Sequence, residues 1–185
     1  SGAGKTTLLK LIFCEERGDQ GELFVNGQDL FRLKEREIPY LRRTIGFVFQ
    51  DFKLIHRKTV FENIALPMEM IGASRSEIKK RVQEMLTMIR LLDHERKLPD
   101  TLSAGEQQRV AIARAMINYP LILLADEPTG NLDEALSIDI LDLLREINSH
   151  GTTVLVATHQ RNTISNIPAR TVTLKNGSLM SDTVR

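Results

Sequence analysis

Hydrophobic positions along this chain change their period repeatedly, and each change marks an element. After a run of small polar residues, Leu8, Leu9, Leu11, Ile12 and Phe13 give a mostly apolar helix that stops at Gly18, Asp19 and Gly21. Glu22 to Val25 predicts a strand turning at Asn26-Gly27, a dipeptide suited to a two-residue hairpin. Thr44 to Gln50 (TIGFVFQ) predicts another strand. The next stretch turns helical. Ser74 and Glu77 form a capping-box pair, followed by Ile78, Val82, Met85, Leu86 and Ile89 on one helical face. Ser103 and Glu106 repeat the box ahead of Val110, Ile112, Ala113 and Met116. Leu121 to Leu124 is a continuous apolar run closed by Asp126-Glu127, the pattern of a strand covered on both faces. Leu136, Ile140, Leu143, Leu144 and Ile147 mark a helix ended by Gly151. Thr152 to Thr158 (TTVLVAT) predicts a further buried strand that delivers His159, and Arg170 to Met180 predicts a hairpin around Asn176-Gly177. Strands alternating with helices predict an α/β fold with a parallel sheet, a helical insertion between Gln50 and Ser103, and some antiparallel strands.

Composition narrows the class. The chain has 185 residues, 42% of them hydrophobic, enough for one domain with a proper core. With 25 Lys+Arg against 24 Asp+Glu, its formal charge of +1 offers no bulk attraction to nucleic acid or to an anionic membrane. A single cysteine cannot build a disulfide framework. No apolar run approaches the ~20 residues of a membrane-spanning helix, and no signal-peptide pattern opens the chain.

The candidate chemistry begins at the first residue. Ser1-Gly2-Ala3-Gly4-Lys5-Thr6-Thr7 is the back half of a phosphate-binding loop whose first glycine would lie upstream, so a feeding strand is expected to precede it. Glycines let successive N–H groups turn toward a phosphate, and the following helix adds its N-terminal partial charge. Lys5 would reach the β- and γ-phosphates, and the Thr6 hydroxyl would ligate Mg²⁺. Asp126 and Glu127 end a buried strand, where a carboxylate faces the ligand crevice. Asp126 would hold the hydration shell of Mg²⁺, and Glu127 would orient and polarise the attacking water. Gln50 and His159 each close a predicted strand, within reach of the metal or water and of the γ-phosphate respectively. His56, His94, His150 and Cys14 are read as ordinary structural residues. The segment Leu102-Ser-Ala-Gly-Glu-Gln-Gln-Arg109 is a capped helix start carrying Ser103 and Gly105, a second anion site in a chain that already has one. Two such sites suit two copies meeting head to tail, each closing the other's nucleotide.

SGAGKTT, Gln50, LSAGEQQR, LILLADEP, the Asn131-Leu132-Asp133 turn and His159, in this order, resemble the ABC-type ATPase domain along essentially the whole chain. The resemblance implies a P-loop NTPase of ABC type, with a nucleotide-binding core over 1–50 and 104–185 and a helical subdomain over 51–103. It implies ATP and Mg²⁺ as cofactors and a homodimer in the ATP-bound state. ATP would be cradled by Ser1, Gly2, Ala3, Gly4, Lys5, Thr6 and Thr7 and closed by Ser103, Gly105 and Glu106 of the second copy. Asp133 would couple the two sites. Mg²⁺ would be held by Thr6, Gln50 and Asp126, and Glu127, His159 and Gln50 would serve catalysis.

Within the family, the stretch from Arg36 to Asp51 and Gly72-Ala-Ser74 are similar to the FtsE family of cell-division ATPases. That similarity implies a partner of FtsX type in the bacterial inner membrane and a peripheral place on its cytoplasmic face. The lipoprotein-releasing and macrolide-export ATPases share ADEPTGNLD and LSAGEQQR and stay open as the alternative. ATPases of DNA repair carry coiled-coil or zinc insertions that are missing between the P-loop and Ser103, and a non-hydrolytic clamp would lack Glu127. Two departures stand out. Ala104 occupies a position that is usually glycine, which narrows the backbone if φ must be positive. The aromatic that usually stacks on adenine would lie upstream of Ser1, so the piece as it stands is expected to bind ATP weakly. The apolar, Met-bearing segment Phe61 to Met70 would serve either as subdomain core or as a contact surface for the membrane partner.

Overall fold

The computed structural model describes residues 2–160 and 167–184. Its centre is a three-stranded parallel sheet of β3 (Ile45–Val48), β4 (Ile122–Asp126) and β5 (Thr153–Ala157), in the order β3-β4-β5. Ile45 pairs with Ile122, and Ile122 in turn with Thr153. Ahead of it lie α1 (Lys5–Ile12), the small hairpin β1 (Phe24–Val25) and β2 (Gln28–Asp29), and α2 (Ile38–Arg43). Between β3 and β4 run α3 (Val60–Met70), α4 (Arg75–Met88) and α5 (Ala104–Met116). Helix α6 (Glu134–Ser149) crosses from β4 to β5, and the antiparallel hairpin β6 (Thr171–Lys175) and β7 (Ser178–Thr183) closes the order. The predicted α/β class, with its parallel sheet, helical insertion and antiparallel strands, is what the chain adopts.

The two faces of the sheet explain the apolar runs. Ile45, Phe47 and Leu124 turn to the α1 side, where they pack with Leu9, Leu41 and Ala157. Val48, Leu123 and Ala125 turn to the opposite side and join a larger cluster supplied by α3, α4, α5 and α6. A strand covered on both faces needs apolar residues at every position, so β4 reads as a run rather than an alternation. Three helices of this layer start on capping boxes: Thr59 with Glu62, Ser74 with Glu77, and Ser103 with Glu106. The Thr59 box and, ahead of β3, helix α2 went unread in the sequence. Pro39 in the first turn of α2 suits a helix start, but the helix is only six residues long and interrupts no periodic pattern.

Two further differences have physical causes. β5 was expected to be buried; among the described residues it pairs with β4 alone and is only partly covered. Leu155 is 36% exposed and Ala157 is its buried residue. β5 borders a groove of 1160 Å³ that is also lined by Phe24, Ile167 and Val172. The segment from Phe61 to Met70 divides between its two expected roles. Ile64 and Ala65 are fully buried, whereas Met70 is 77% exposed.

Gly46 sets how closely α5 can approach the sheet. A Cβ at this position would lie 2.5 Å from the Ala115 carbonyl oxygen, a backbone atom that cannot step aside. Gly46→Ala is therefore expected to cost about 3 kcal/mol or more, the upper range for overpacking a core. Urea unfolding would read this as a lower midpoint at unchanged m-value.

Candidate functional site

Backbone conformation prepares the loop ahead of α1. Gly2 and Gly4 have φ of 78° and 92°, in the left-handed region that residues bearing Cβ disfavour. Gly4 is the N-cap of α1 and Lys5 its first residue, so the free N–H groups of the first helical turn open directly after the loop. Ser1, the first of the expected loop residues, lies outside the described residues. Ala3 accepts a hydrogen bond from the Gly177 amide at 3.2 Å, which seats the β6-β7 turn on the loop. Thr7 is solvent-exposed one position beyond Thr6.

The ends of β4 and β5 bring the acids to this loop. The Thr6 hydroxyl donates to Asp126 Oδ1 at 3.1 Å, across 120 positions of sequence. Lys5 Nζ stands 4.0 Å from Glu127 Oε1. The same Glu127 oxygen pairs with His159 Nδ1 at 2.8 Å, and the other accepts from the His159 backbone amide at 3.2 Å. A carboxylate can only accept, so His159 is protonated at Nδ1 in this contact. Glu127 holds a φ of 47°, unusual for a residue with a side chain, and its amide donates to Ala157 at 2.8 Å. Strain of this kind persists only where the surroundings enforce it, as the bonds to β5 and His159 do. The structure thus gathers Lys5, Thr6, Asp126, Glu127 and His159 into one cluster.

Gln50, expected to close the strand, lies two residues beyond β3 in a turn and is exposed. Its carbonyl accepts from Asn131 Nδ2 at 3.2 Å, and its own amide nitrogen lies near Gly130, where a Cβ would come within 3.8 Å. Ser103, Gly105 and Glu106 sit elsewhere, at the start of α5. Ser103 Oγ donates to Glu106 Oε2 at 2.8 Å, and the Ser103 amide donates to the same oxygen at 2.7 Å. Among the described residues no hydrogen bond joins this helix start to the loop at Gly2–Thr7 of the same chain. Asp133 is exposed and caps α6 by accepting from the Leu136 amide at 2.9 Å.

Similarity to known proteins decides the family. A family described as "ABC transporter" matches residues 1–130. The chain belongs to this family. Among curated relatives, the cell division ATP-binding protein FtsE of Escherichia coli K12 is 53% identical over 179 residues, 97% of this chain and 81% of the relative. FtsE of Bacillus subtilis strain 168 is 48% identical over 185 residues, 100% of this chain and 81% of that one. FtsE of Mycobacterium tuberculosis is 48% identical over 185 residues, 100% of this chain and 80% of that one. Among solved structures, the ATP-binding cassette MJ0796, as a dimer in a post-hydrolysis state bound to ADP and Pi, superposes with a TM-score of 0.87. It is 38% identical and the match covers 98% of this chain and 81% of that one.

For this ABC-family chain the departure at Ala104 resolves. Ala104 is the first residue of α5 and is not among the described residues with positive φ, so its methyl group strains nothing. Gly105, by contrast, is pressed against α6: a Cβ there would meet the Leu136 side chain at 3.1 Å. The Ser103 bonds hold the Glu106 carboxyl below the ordinary carboxylate range. The cap is therefore intact above the ordinary Glu pKa and is lost only as pH falls through the lowered value. Ser103→Ala removes the cap and is expected to cost about 1 kcal/mol, read as a lower thermal midpoint.

Three contacts were not anticipated from sequence. Asn131 ties the Gln50 carbonyl, the Thr129 hydroxyl donates to Gln160 Oε1 at 2.9 Å, and Arg114 binds the segment after Gln50. The first two lie in loops, where pattern carries no information. Arg114 did leave a signal, as the charged residue set between Ala113 and Ala115 in the apolar second half of α5.

Proposed function

We propose that this chain is the ATP-hydrolysing subunit of a membrane complex acting in bacterial cell division. The observation that carries the reading is identity of 48–53% over nearly the whole chain to proteins named cell division ATP-binding protein FtsE. The MJ0796 cassette, titled a bacterial ABC transporter cassette in its dimeric form, is less similar at 39%.

The residues supply the parts such a reaction needs. The amides at Gly2–Thr7 and the Lys5 ammonium bind the phosphates. The hydroxyl of Thr6 and the carboxylate of Asp126, 3.1 Å apart, are hard oxygen donors of the kind Mg²⁺ accepts while keeping waters and phosphate oxygens as its other ligands. Mg²⁺ held there, with Gln50 at its margin, supplies charge neutralisation at the phosphates. Glu127 accepts the proton of the attacking water, and His159, bonded to it through Nδ1 and the backbone amide, fixes its orientation. Lys5, paired with Glu127 at 4.0 Å, exchanges that partner for phosphate when ATP enters.

Ser103, Gly105 and Glu106 lie apart from the loop of their own chain, which supports closure of each nucleotide by the α5 start of a second copy, with Asp133 beside the junction. Such an arrangement is a two-fold homodimer formed on ATP. Among the described residues no helix is long and apolar enough to cross a membrane. A peripheral subunit on the cytoplasmic face, held by an integral partner of FtsX type and making no use of nucleic acid, is the reading that the similarity to FtsE supports.

Expression of Glu127→Gln in the source bacterium tests the assignment. Blocked septation and filamentous cells are the expected result. Normal division with failed lipoprotein release or drug efflux would move the chain to the alternative branch.

A further inference from the structure

We propose that Arg114 is a positioning residue for Gln50: it holds the strained turn that follows Gln50 and ties that turn to helix α5, which carries Ser103 at its other end. The inference rests on the ATPase reading above.

The backbone after Gln50 is unusual. Phe52 and Lys53 have φ of 58° and 51°, two consecutive residues with side chains in the left-handed region. L-residues enter this region singly and at a cost, so a pair of them has to be held from outside. Within the turn, the Lys53 amide donates to the Asp51 carbonyl at 2.6 Å and the Phe52 amide to Phe49 at 3.2 Å. These bonds shape the turn but do not anchor it.

The anchor comes from Arg114. Its Nη1 donates to the Lys53 carbonyl at 2.6 Å and its Nη2 to the Phe52 carbonyl at 2.7 Å. One planar guanidinium therefore spans both strained residues, a fork that a lysine ammonium cannot reproduce. Desolvation alone acts on the Arg114 charge, drawing its pKa down. No carboxylate pairs with it among the described residues, so a largely buried cation spends its donors on two backbone carbonyls.

The position of Arg114 on α5 gives the contact a consequence. The next residue, Ala115, rests its carbonyl on β3 at Gly46, where there is no room for even a Cβ. The far end of the same 13-residue helix is capped by Ser103. From the other side Asn131 grips the Gln50 carbonyl at 3.2 Å, two residues before Asp133. Gln50 thus hangs between the β4-α6 loop and α5. A displacement of Gln50 must either break the Arg114 fork or carry α5 with it, and Ser103 moves with α5.

The test is a double-mutant cycle on the full-length protein, with kcat and KM for MgATP and with ADP affinity by titration calorimetry. Arg114→Ala is expected to lower kcat about tenfold while ADP affinity stays within twofold. In a Gln50→Ala background the same substitution should change kcat by less than twofold, because the residue it positions is gone. Arg114→Lys should fail to restore turnover. Lys53→Gly, which removes the steric cost of the left-handed backbone, should recover at least a threefold part of the loss in Arg114→Ala. Should Arg114→Ala not fold, Arg114→Lys carries the cycle in its place. Parental turnover in the Arg114 variants would overturn the proposal. So would an undiminished tenfold loss on the Gln50→Ala background, which marks a purely structural role. Failure of the ATPase reading itself would show differently, as no turnover in the parental protein.

Discussion

Glu127→Gln is expected to lower ATP turnover by roughly 10²–10⁴-fold, the usual worth of a positioned general base. The substitution keeps the shape of the side chain and removes its proton-accepting charge. The amide oxygen can accept from the His159 backbone amide, and the amide nitrogen can donate to His159 Nδ1 once the ring carries its proton on Nε2, so both contacts at the end of β4 can survive. Loss of the negative charge 4.0 Å from Lys5 also frees that ammonium for phosphate. ATP binding should therefore be retained or improved, and the ATP-bound dimer should accumulate because nothing discharges it. Phosphate release, fluorescent-nucleotide titration and gel filtration in ATP separate these effects. Turnover at the parental rate would show that the base is another residue.

Lys5→Ala acts on the preceding step. The ammonium is the one side-chain cation in the described cluster with Thr6, Asp126 and Glu127, and hydrogen bonds to charged groups are worth ~1.5–3 kcal/mol each. Its removal should weaken ATP binding by roughly 10- to 150-fold, since each 1.4 kcal/mol is a factor of ten. Among the described residues Glu127 is the sole ionic partner of Lys5, at 4.0 Å, so folding should be little affected. Equilibrium titration would give the affinity and thermal unfolding the control. A fall in stability matching the fall in affinity would mean that Lys5 serves the fold.

What could be read in the sequence follows from where physical constraint is periodic. β4 and α5 were legible because burial on both faces makes a strand uniformly apolar and a capping box fixes a helix start to the residue. Lys5, Thr6, Asp126, Glu127 and His159 were legible as types at strand and helix ends, and the fold supplies the proximity that spacing in sequence cannot. TTVLVAT was legible as a strand of the parallel sheet, and among the described residues it borders the groove also lined by Val172 of β6. Arg114 stands out among apolar neighbours, but its partner did not, because no residue type announces the left-handed backbone at Phe52–Lys53 when glycine is absent. Asn63 shows the same limit. Fully buried, it bonds Ile55, Lys58 and Thr59 through their backbones, yet in the sequence nothing sets it apart from the solvent-facing Glu69 of the same helix.

The central claim is that one chain holds half of each working site. The most direct measurement is ATPase activity per chain against concentration of the full-length protein, with sedimentation in ATP on the same samples. Specific activity rising with concentration, in step with conversion of monomer to dimer, is the predicted result. Constant specific activity from a species that sediments as a monomer would contradict the account, because Ser103 of one copy would then have no part in hydrolysis at the other.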